Sequence, residues 1–428
     1  MTDEPTSLPS ATDPAPDVPP KDPHDDRFAA FRNRRFLLYW LARFAATFAT
    51  QIVIVSVGWQ VYAITGDPWD LGLIGLCQFA PAFLLVLVTG AAADRYSRRL
   101  IMGLAVAAEG IGTLVLLLWT FEGLGSPLPV FGILVIFGIA RAFFGPASQS
   151  LVVNIVSREE LPNAIAWNSS SWQIAAIVGP VAGGLLYGVS PLVAYGIGGA
   201  LFLTSAVLVI FIKAPARRRS TEPTSFETVV AGFRFIWSEK VVLGAISLDL
   251  FAVLLGGAVA LMPVYASDIL DAGPVALGLL RAAPGIGAIP MALFLAAHPI
   301  RNHAGAIMFA FVGLFGAFTV VFGLSTSIWV SVPALILVGA SDMISVYVRE
   351  TLMQLWTPDD VRGRVNAVNM VFIGASNELG EFRAGAMAKL IGAVPAVVFG
   401  GVATVGVAAL WARMFPELRK IRHLGGRE

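Results

Sequence analysis

The sequence predicts an all-α polytopic membrane protein, with twelve transmembrane helices arranged as two six-helix bundles. Three observations predict it. Of the 428 residues, 57% are hydrophobic and only 13% are charged, with a mean hydropathy of +0.76; a soluble domain carries about 25% charged residues. The apolar residues gather into blocks of about 20 or more, the length of helix that crosses a hydrocarbon core. Lys and Arg collect in alternate breaks between those blocks.

Taken in order, residues 1–30 begin MTDEPTSLPSATDPAPDVPPKDPHDD, too rich in Pro, Asp, Ser and Thr to bury anything, and are expected to be a disordered tail. No cationic start leads directly into an apolar stretch, so this is not a signal peptide and the first span is expected to direct insertion. The N-terminal bundle, residues 31–212, holds spans at 36–64, 71–93, 99–121, 128–155, 163–188 and 191–212. A linker over 213–240 reads KAPARRRSTEPTS and then FETVVAGFRFIWSE, a stretch expected to lie on the membrane surface as a short amphipathic helix. The C-terminal bundle, residues 241–413, holds spans at 241–267, 274–297, 304–324, 328–356, 363–390 and 393–413, followed by a tail over 414–428. Breaks such as TGDPWD, GLGSP and TPDDVRGR are polar and turn-forming.

One set of breaks holds Arg95, Arg98 and Arg99, then Arg158, Lys213 with Arg217 to Arg219, Arg301 and Arg362; the other set holds neither Lys nor Arg. Both termini join the basic side, which the positive-inside rule places in the cytoplasm. Lys389, near the opposite end of span eleven, is the exception and is expected to snorkel. The halves also match at a spacing of 200 residues, where Ser157, Glu159 and Glu160 fall opposite Thr357, Asp359 and Asp360. Such repeats are common in secondary transporters, which bind substrate between the halves near the midplane.

The net charge of +1 gives no electrostatic reason to bind nucleic acid. A single cysteine, Cys77, excludes an intrachain disulfide and a cysteine metal cluster. His298 and His303 flank one loop and read as solvated, so no metal is expected. No G-x-x-x-x-G-K-[ST] pattern occurs, so ATP is not the expected energy source, and nothing points to an enzyme.

Charges within a membrane helix cost roughly 2.5 to 3.5 kcal/mol each and face a cavity or a partner. GASNELGEFRAG in span eleven carries Glu378, Glu381 and Arg383. The two glutamates share a helix face about 4.5 Å apart along the axis, and Asn377 widens it. Close, buried carboxylates suit proton exchange or, on the blander reading, structural ion pairs. Arg383 is about 200° around the helix from Glu381, so its partner is sought on another helix, where Asp342 and Glu350 are available acids. Asp249, Arg349 and Glu350 are further in-span charges. Arg43, Thr47 and Gln51 recur every four residues and form a polar stripe suited to a cavity wall. Trp172 and Gln173 are placed with them for contact with an aromatic or amphiphilic solute. In span five, Gly179, Pro180, Gly183 and Gly184 suit close helix packing and a bend.

GAAADRYSRR resembles the loop between spans two and three of the major facilitator superfamily, G-x-x-x-D-[RK]-x-G-R-[RK]. It matches at Gly90, Asp94, Arg95, Arg98 and Arg99, with Ser97 in place of the glycine. The resemblance implies a conformational latch at these residues. Arg141 with Gly145 matches the arginine–glycine pattern of proton-coupled members, which implies proton coupling at Arg141, with Glu109 joining the acid pair among the expected proton-handling groups. Gly179, Pro180, Gly183 and Gly184 match the exporter-type G-P-x-x-G-G, although Asn168 and Ala175 replace its upstream glycines.

More closely, FRNRRFLLYWLARF, GWQVYAITGDPWDLGLIGL, ARAFFGPASQS, LPNAIAWNSSSWQ and TPDDVRGRVNAVN resemble the enterobactin-exporter and macrolide-efflux branch, across residues from about 30 to 420. The resemblance implies proton-driven export of a small organic or amphiphilic solute across the bacterial cytoplasmic membrane. Span one lacks the acid that many such exporters carry and has Arg43 instead, which favours an anionic substrate. A lipid or lysolipid flippase, or a facilitator or importer, is the alternative on the same fold. The expected energy source is the proton gradient, with no cofactor; the expected partners are the solute and membrane lipids, and the expected working unit is a monomer.

Overall fold

The computed structural model describes residues 28–123, 125–213 and 226–421. Residues 1–27 of the tail expected over 1–30, Arg217 to Arg219 of the linker and the chain after Ile421 lie outside the described residues, as do the side chains of Gly90 and Asp94.

Twelve long helical spans run Arg34–Thr65, Pro68–Arg95, Arg98–Glu122, Leu128–Ile155, Leu161–Val189, Pro191–Ile210, Lys240–Ile269, Gly273–Ala297, Ala304–Leu324, Ile328–Trp356, Asp359–Ile391 and Ala393–Met414. They are numbered span one to span twelve. Eleven of them are long and apolar enough to cross a membrane. Span eleven, of 33 residues, has the length but not the composition, because it carries the acid pair, Arg383 and a polar start.

Several helices begin or end beyond the apolar blocks. Span two starts at Pro68, because Asp67 accepts a hydrogen bond from the Trp69 amide and Pro68 needs no donor in the first turn. Gly66 ends span one at φ +60°, a left-handed cap that frees the chain to turn. Span seven is broken: Lys240–Gly256 ends at Gly257, followed by a 3-10 turn at Val259–Leu261 and a π turn at Tyr265–Ile269. Phe28 to Ala30, which were expected to belong to a tail over 1–30, are packed against the first half. Phe28 and Phe31 pack their rings on Trp167 at 5.4 and 4.9 Å, and Ala30 is fully buried.

Within the first six spans, one packs on five and six, two on four, and three on four and six. The last six repeat this pattern: seven on eleven and twelve, eight on ten, nine on ten and twelve. Phe226–Ser238 forms a helix laid on span eleven, where Gly232 abuts the Arg364 carbonyl. Pro416–Lys420 tucks Leu418 under span nine against Gly305.

The two halves meet along spans two and eleven and along spans five and eight. Both contacts are tightest at the end opposite the termini, the distal end. A Cβ on Gly385 would lie 2.6 Å from the Pro68 carbonyl oxygen, and one on Gly184 would lie 2.4 Å from that of Pro274. Glycine is what permits this backbone approach. Across the same end, Lys389 Nζ reaches Asp67 at 2.6 Å, and the Tyr62 hydroxyl donates to the Asp268 carboxylate. Lys389 is therefore paired across the halves rather than snorkelling alone.

Candidate functional site

Span one brings Arg43, Thr47 and Gln51 to one wall of a cavity of about 270 Å³, which Glu109, Arg141, Gln149 and Trp172 help to enclose. The spacing of four stacks the three side chains on one face. Thr47 Oγ1 donates back to the Arg43 carbonyl at 2.9 Å, so its hydroxyl is satisfied within the helix. Arg43 donates to the Tyr39 hydroxyl at 3.3 Å, and that hydroxyl meets Ser148 Oγ at 2.9 Å, which ties span one to span four. Gln51 lies over Gly179, where any Cβ would stand 2.5 Å from its own.

A second cavity of about 690 Å³ shares Arg43, Gln149 and Trp172, adds Asn168, Ser169 and Gln173, and continues towards the terminal end past Val152 and Ile165. Trp172 is 52% exposed, so its indole presents a face to this space rather than filling a core. Trp167 differs: it belongs to the aromatic packing with Phe31 and Trp40.

Glu378 and Glu381 project together from span eleven towards Gly75 of span two. A Cβ on Gly75 would stand 3.0 Å from Glu378 Oε2 and 3.5 Å from Glu381 Oε2, so the missing side chain is what makes room for both carboxylates. Two cations act on the pair: Arg141 of span four, from one half, and Arg281 of span eight, from the other. Arg141 also donates to Gln78 Oε1 at 3.0 Å and acts on Glu109, which is 4% exposed. The Nε of Arg281 is buried without a hydrogen-bond partner among the described residues.

Arg281, Gly75 and Gln78 are absent from the sequence reading. Arg281 breaks the apolar run GLLRAAPGIG, so the rule that found the other in-span charges reaches it as well. Gly75 and Gln78 carry no such signal, since only the approach of span eleven and of Arg141 gives them a role.

Asn377 is exposed, donates to the Ile373 carbonyl at 2.8 Å and lines neither cavity, although it was expected at the substrate. Arg383 does not pair with Asp342 or Glu350. Its Nε donates to the Leu254 carbonyl at 2.9 Å and its Nη1 reaches Met387 Sδ at 3.0 Å. The break after Gly256 leaves last-turn carbonyls of span seven without helical donors, and in a membrane they need one. Glu350 instead accepts from Asn369 at 3.3 Å and lies 3.8 Å from Arg349, which is ion-paired with Asp249. Asp342 has no hydrogen bond or ion pair among the described residues.

Of the expected latch, Arg98 donates to the Ser150 carbonyl at 3.2 Å and Arg99 to that of Ile212 at 3.1 Å. Both bonds lie within the first half. Gly183 packs on Ile52 and Gly184 on Pro274, while Pro180 presents its carbonyl to Gly278.

Residues 26–423 match the model of a family described as transmembrane secretion effectors. The enterobactin exporter EntS of Citrobacter koseri is 27% identical over 399 residues, covering 90% of this chain and 93% of that protein, and the EntS of Escherichia coli O1:K1 matches equally. Among solved structures, a bacterial homologue of the human lysosomal transporter Spinster, in an inward-facing and occupied conformation, superposes with a TM-score of 0.73 at 16% identity, covering 90% of this chain and 98% of that one. The nucleoside transporter NupG gives 0.67 at 13% identity, covering 89% and 99%. The chain thus belongs to the transmembrane secretion effector family of the major facilitator superfamily, and is a multi-pass membrane transporter of that type rather than an enzyme.

Proposed function

We propose that the protein exports a small organic anion or amphiphile by proton antiport and alternating access, as a monomer, with both termini in the cytoplasm. The observation that carries the reading is the acid pair at the junction of the halves, opposed by one arginine from each half. Basic loops support a cytoplasmic terminal end, and halves that meet distally fit a state facing the cytoplasm.

When the distal end opens, Arg141 leaves with the first half, whereas Arg281 stays with the acids. A carboxylate deprived of a neighbouring cation and wetted from outside takes up a proton. When the distal end closes, Arg141 returns and favours the ionised form, so the proton leaves towards the cytoplasm. The loop arginines would latch the terminal end in the outward-open state. Solute occupies the cavity of Arg43, Gln149 and Trp172, where a guanidinium meets an anion and the indole meets an apolar ring.

EntS relatives export enterobactin by name, so a siderophore is the first substrate to test. The assay uses proteoliposomes with an internal pH-sensitive dye, an imposed pH gradient and enterobactin. Enterobactin movement should dissipate the gradient, and the E378Q/E381Q double variant should lose that coupling. Equal proton flux in the double variant would refute the coupling role.

A further inference from the structure

Spans two and three scarcely touch, and span four packs against both. The gap between them is a groove of about 560 Å³ running from mid-membrane to the terminal end. Its walls are apolar: Val88 and Ala92 of span two, Leu100 and Leu104 of span three, Ile139 and Phe143 of span four. Val88, Leu100 and Leu104 are each more than half exposed, so the groove faces outward to lipid. It is separate from the transport cavity, because Ala140 lines the groove while Arg141, the next residue, lines the cavity.

Along span three the lining runs from Leu100 to Ala108, about 12 Å of helix. One leaflet of hydrocarbon is about 15 Å deep. A groove with almost no polar group offers water nothing to bond, and its length fits a chain lying in that leaflet.

Two arginines flank the mouth along the chain. Arg95 stands three residues beyond Ala92 and Arg98 three before Ile101, so helical spacing sets both at the terminal end of the lined faces. Arg98 is steadied by the Ser150 carbonyl, and the Tyr96 ring, 64% exposed, lies beside them. Guanidinium groups pair with phosphate in a fork, and tyrosine favours the headgroup level. The first amides of span three add positive potential at the same place.

We propose that this groove seats one acyl chain of an anionic phospholipid of the terminal-side leaflet, with its phosphate held by Arg95 and Arg98. The purified full chain is reconstituted in nanodiscs containing phosphatidylglycerol or phosphatidylcholine, each doped with the same lipid bearing a diazirine on one acyl chain. Photolysis is followed by peptide mapping. Label should fall on residues 88–108 and 136–143, with phosphatidylglycerol favoured by up to about thirtyfold, the scale expected of two arginines at about 1 kcal/mol each near an anionic surface. R95Q/R98Q should equalise the two headgroups while the acyl-chain label still falls in the groove. A108F, which fills the deep end, should remove the label for both. Equal labelling by both lipids in the unmodified protein, labelling confined to other faces, or label undiminished by A108F would each overturn the proposal. So would displacement of the label by enterobactin, which would make the groove a solute path.

Discussion

Replacing Gly385 by alanine should shift the protein towards a distally open state. The added Cβ would stand 2.6 Å from the Pro68 carbonyl oxygen, 2.7 Å from the Gly72 nitrogen and 2.8 Å from Gly72 Cα. All three are backbone atoms, so no side chain can swing aside. Ordinary contact begins at 3.4 Å, and span eleven must therefore retreat from span two by about 0.8 Å. Overpacking of this kind costs about 1–3 kcal/mol, imposed only on the closed state. At 1.4 kcal/mol per tenfold, the closed-to-open ratio falls by about 5- to 150-fold. Spin labels at Asp70→Cys and Leu390→Cys, in a Cys77→Ser background, report the distal separation by double electron–electron resonance. G385A should enlarge the long-distance population, and G278A should do the same, because its Cβ would meet the Pro180 carbonyl oxygen at 2.5 Å. G406A, with nothing within 4 Å, should leave the distribution alone. Unchanged distances in both G385A and G278A would refute the view that these contacts set the gate.

Two further outcomes follow from the same end of the molecule and from the break in span seven. The hydrogen bond from Lys389 holds the Asp67 carboxyl below its usual range. The ion pair therefore contributes fully above about pH 4 and is lost as pH falls through the lowered value. Exposed pairs are worth about 0.2–1 kcal/mol, so D67N should raise distal opening at neutral pH by at most about fivefold. The difference between D67N and the parent should shrink as pH falls through the lowered value, read by the same labels; a difference that does not change between neutral pH and strong acid would exclude this pair as its source. R383L should leave the Leu254 carbonyl without its donor at a cost of about 1–3 kcal/mol. That should lower the thermal midpoint in detergent, with R383K recovering part of it, and equal midpoints for R383L and the parent would count against a capping role.

Much of this architecture is legible in the sequence because the bilayer imposes length, and charge imposes side. The number and order of the spans follow from apolar length, while their ends are set by caps such as Asp67 and Gly66; the acid pair is visible because Glu378 and Glu381 interrupt such a run at helical spacing. What the sequence does not carry is pairing between distant segments. Asp67 and Lys389 are 322 residues apart, and Lys389 alone reads as a residue that snorkels. The same blindness sends Arg383 to the wrong partner: an acid is the obvious mate for a cation, whereas the group in need is a carbonyl freed by the break at Gly256 and Gly257. That break lies inside AVLLGGAVALMP, apolar throughout, so hydropathy passes over it.

The acid pair and the gate share one helical stripe, so neither moves alone. On span eleven, Glu378, Glu381, Phe382 and Gly385 follow one another at intervals that keep them on a single face. On span two, Gly72 meets Phe382 and Gly385, and Gly75, one turn on, meets the two carboxylates. Opening the distal contact at Gly72 therefore withdraws Gly75 from the acids in the same rigid motion, which makes access and acid environment a single event. The two glycines nevertheless differ in what they touch. A Cβ on Gly75 would meet the flexible end of Glu378 rather than backbone, so G75A should push a carboxylate aside without separating the helices. G75A is thus expected to alter the pH profile of proton-coupled flux while the distal label distances stay as in the parent, the reverse of G385A. Identical effects of G75A and G385A on both readouts would mean that the stripe acts only as packing.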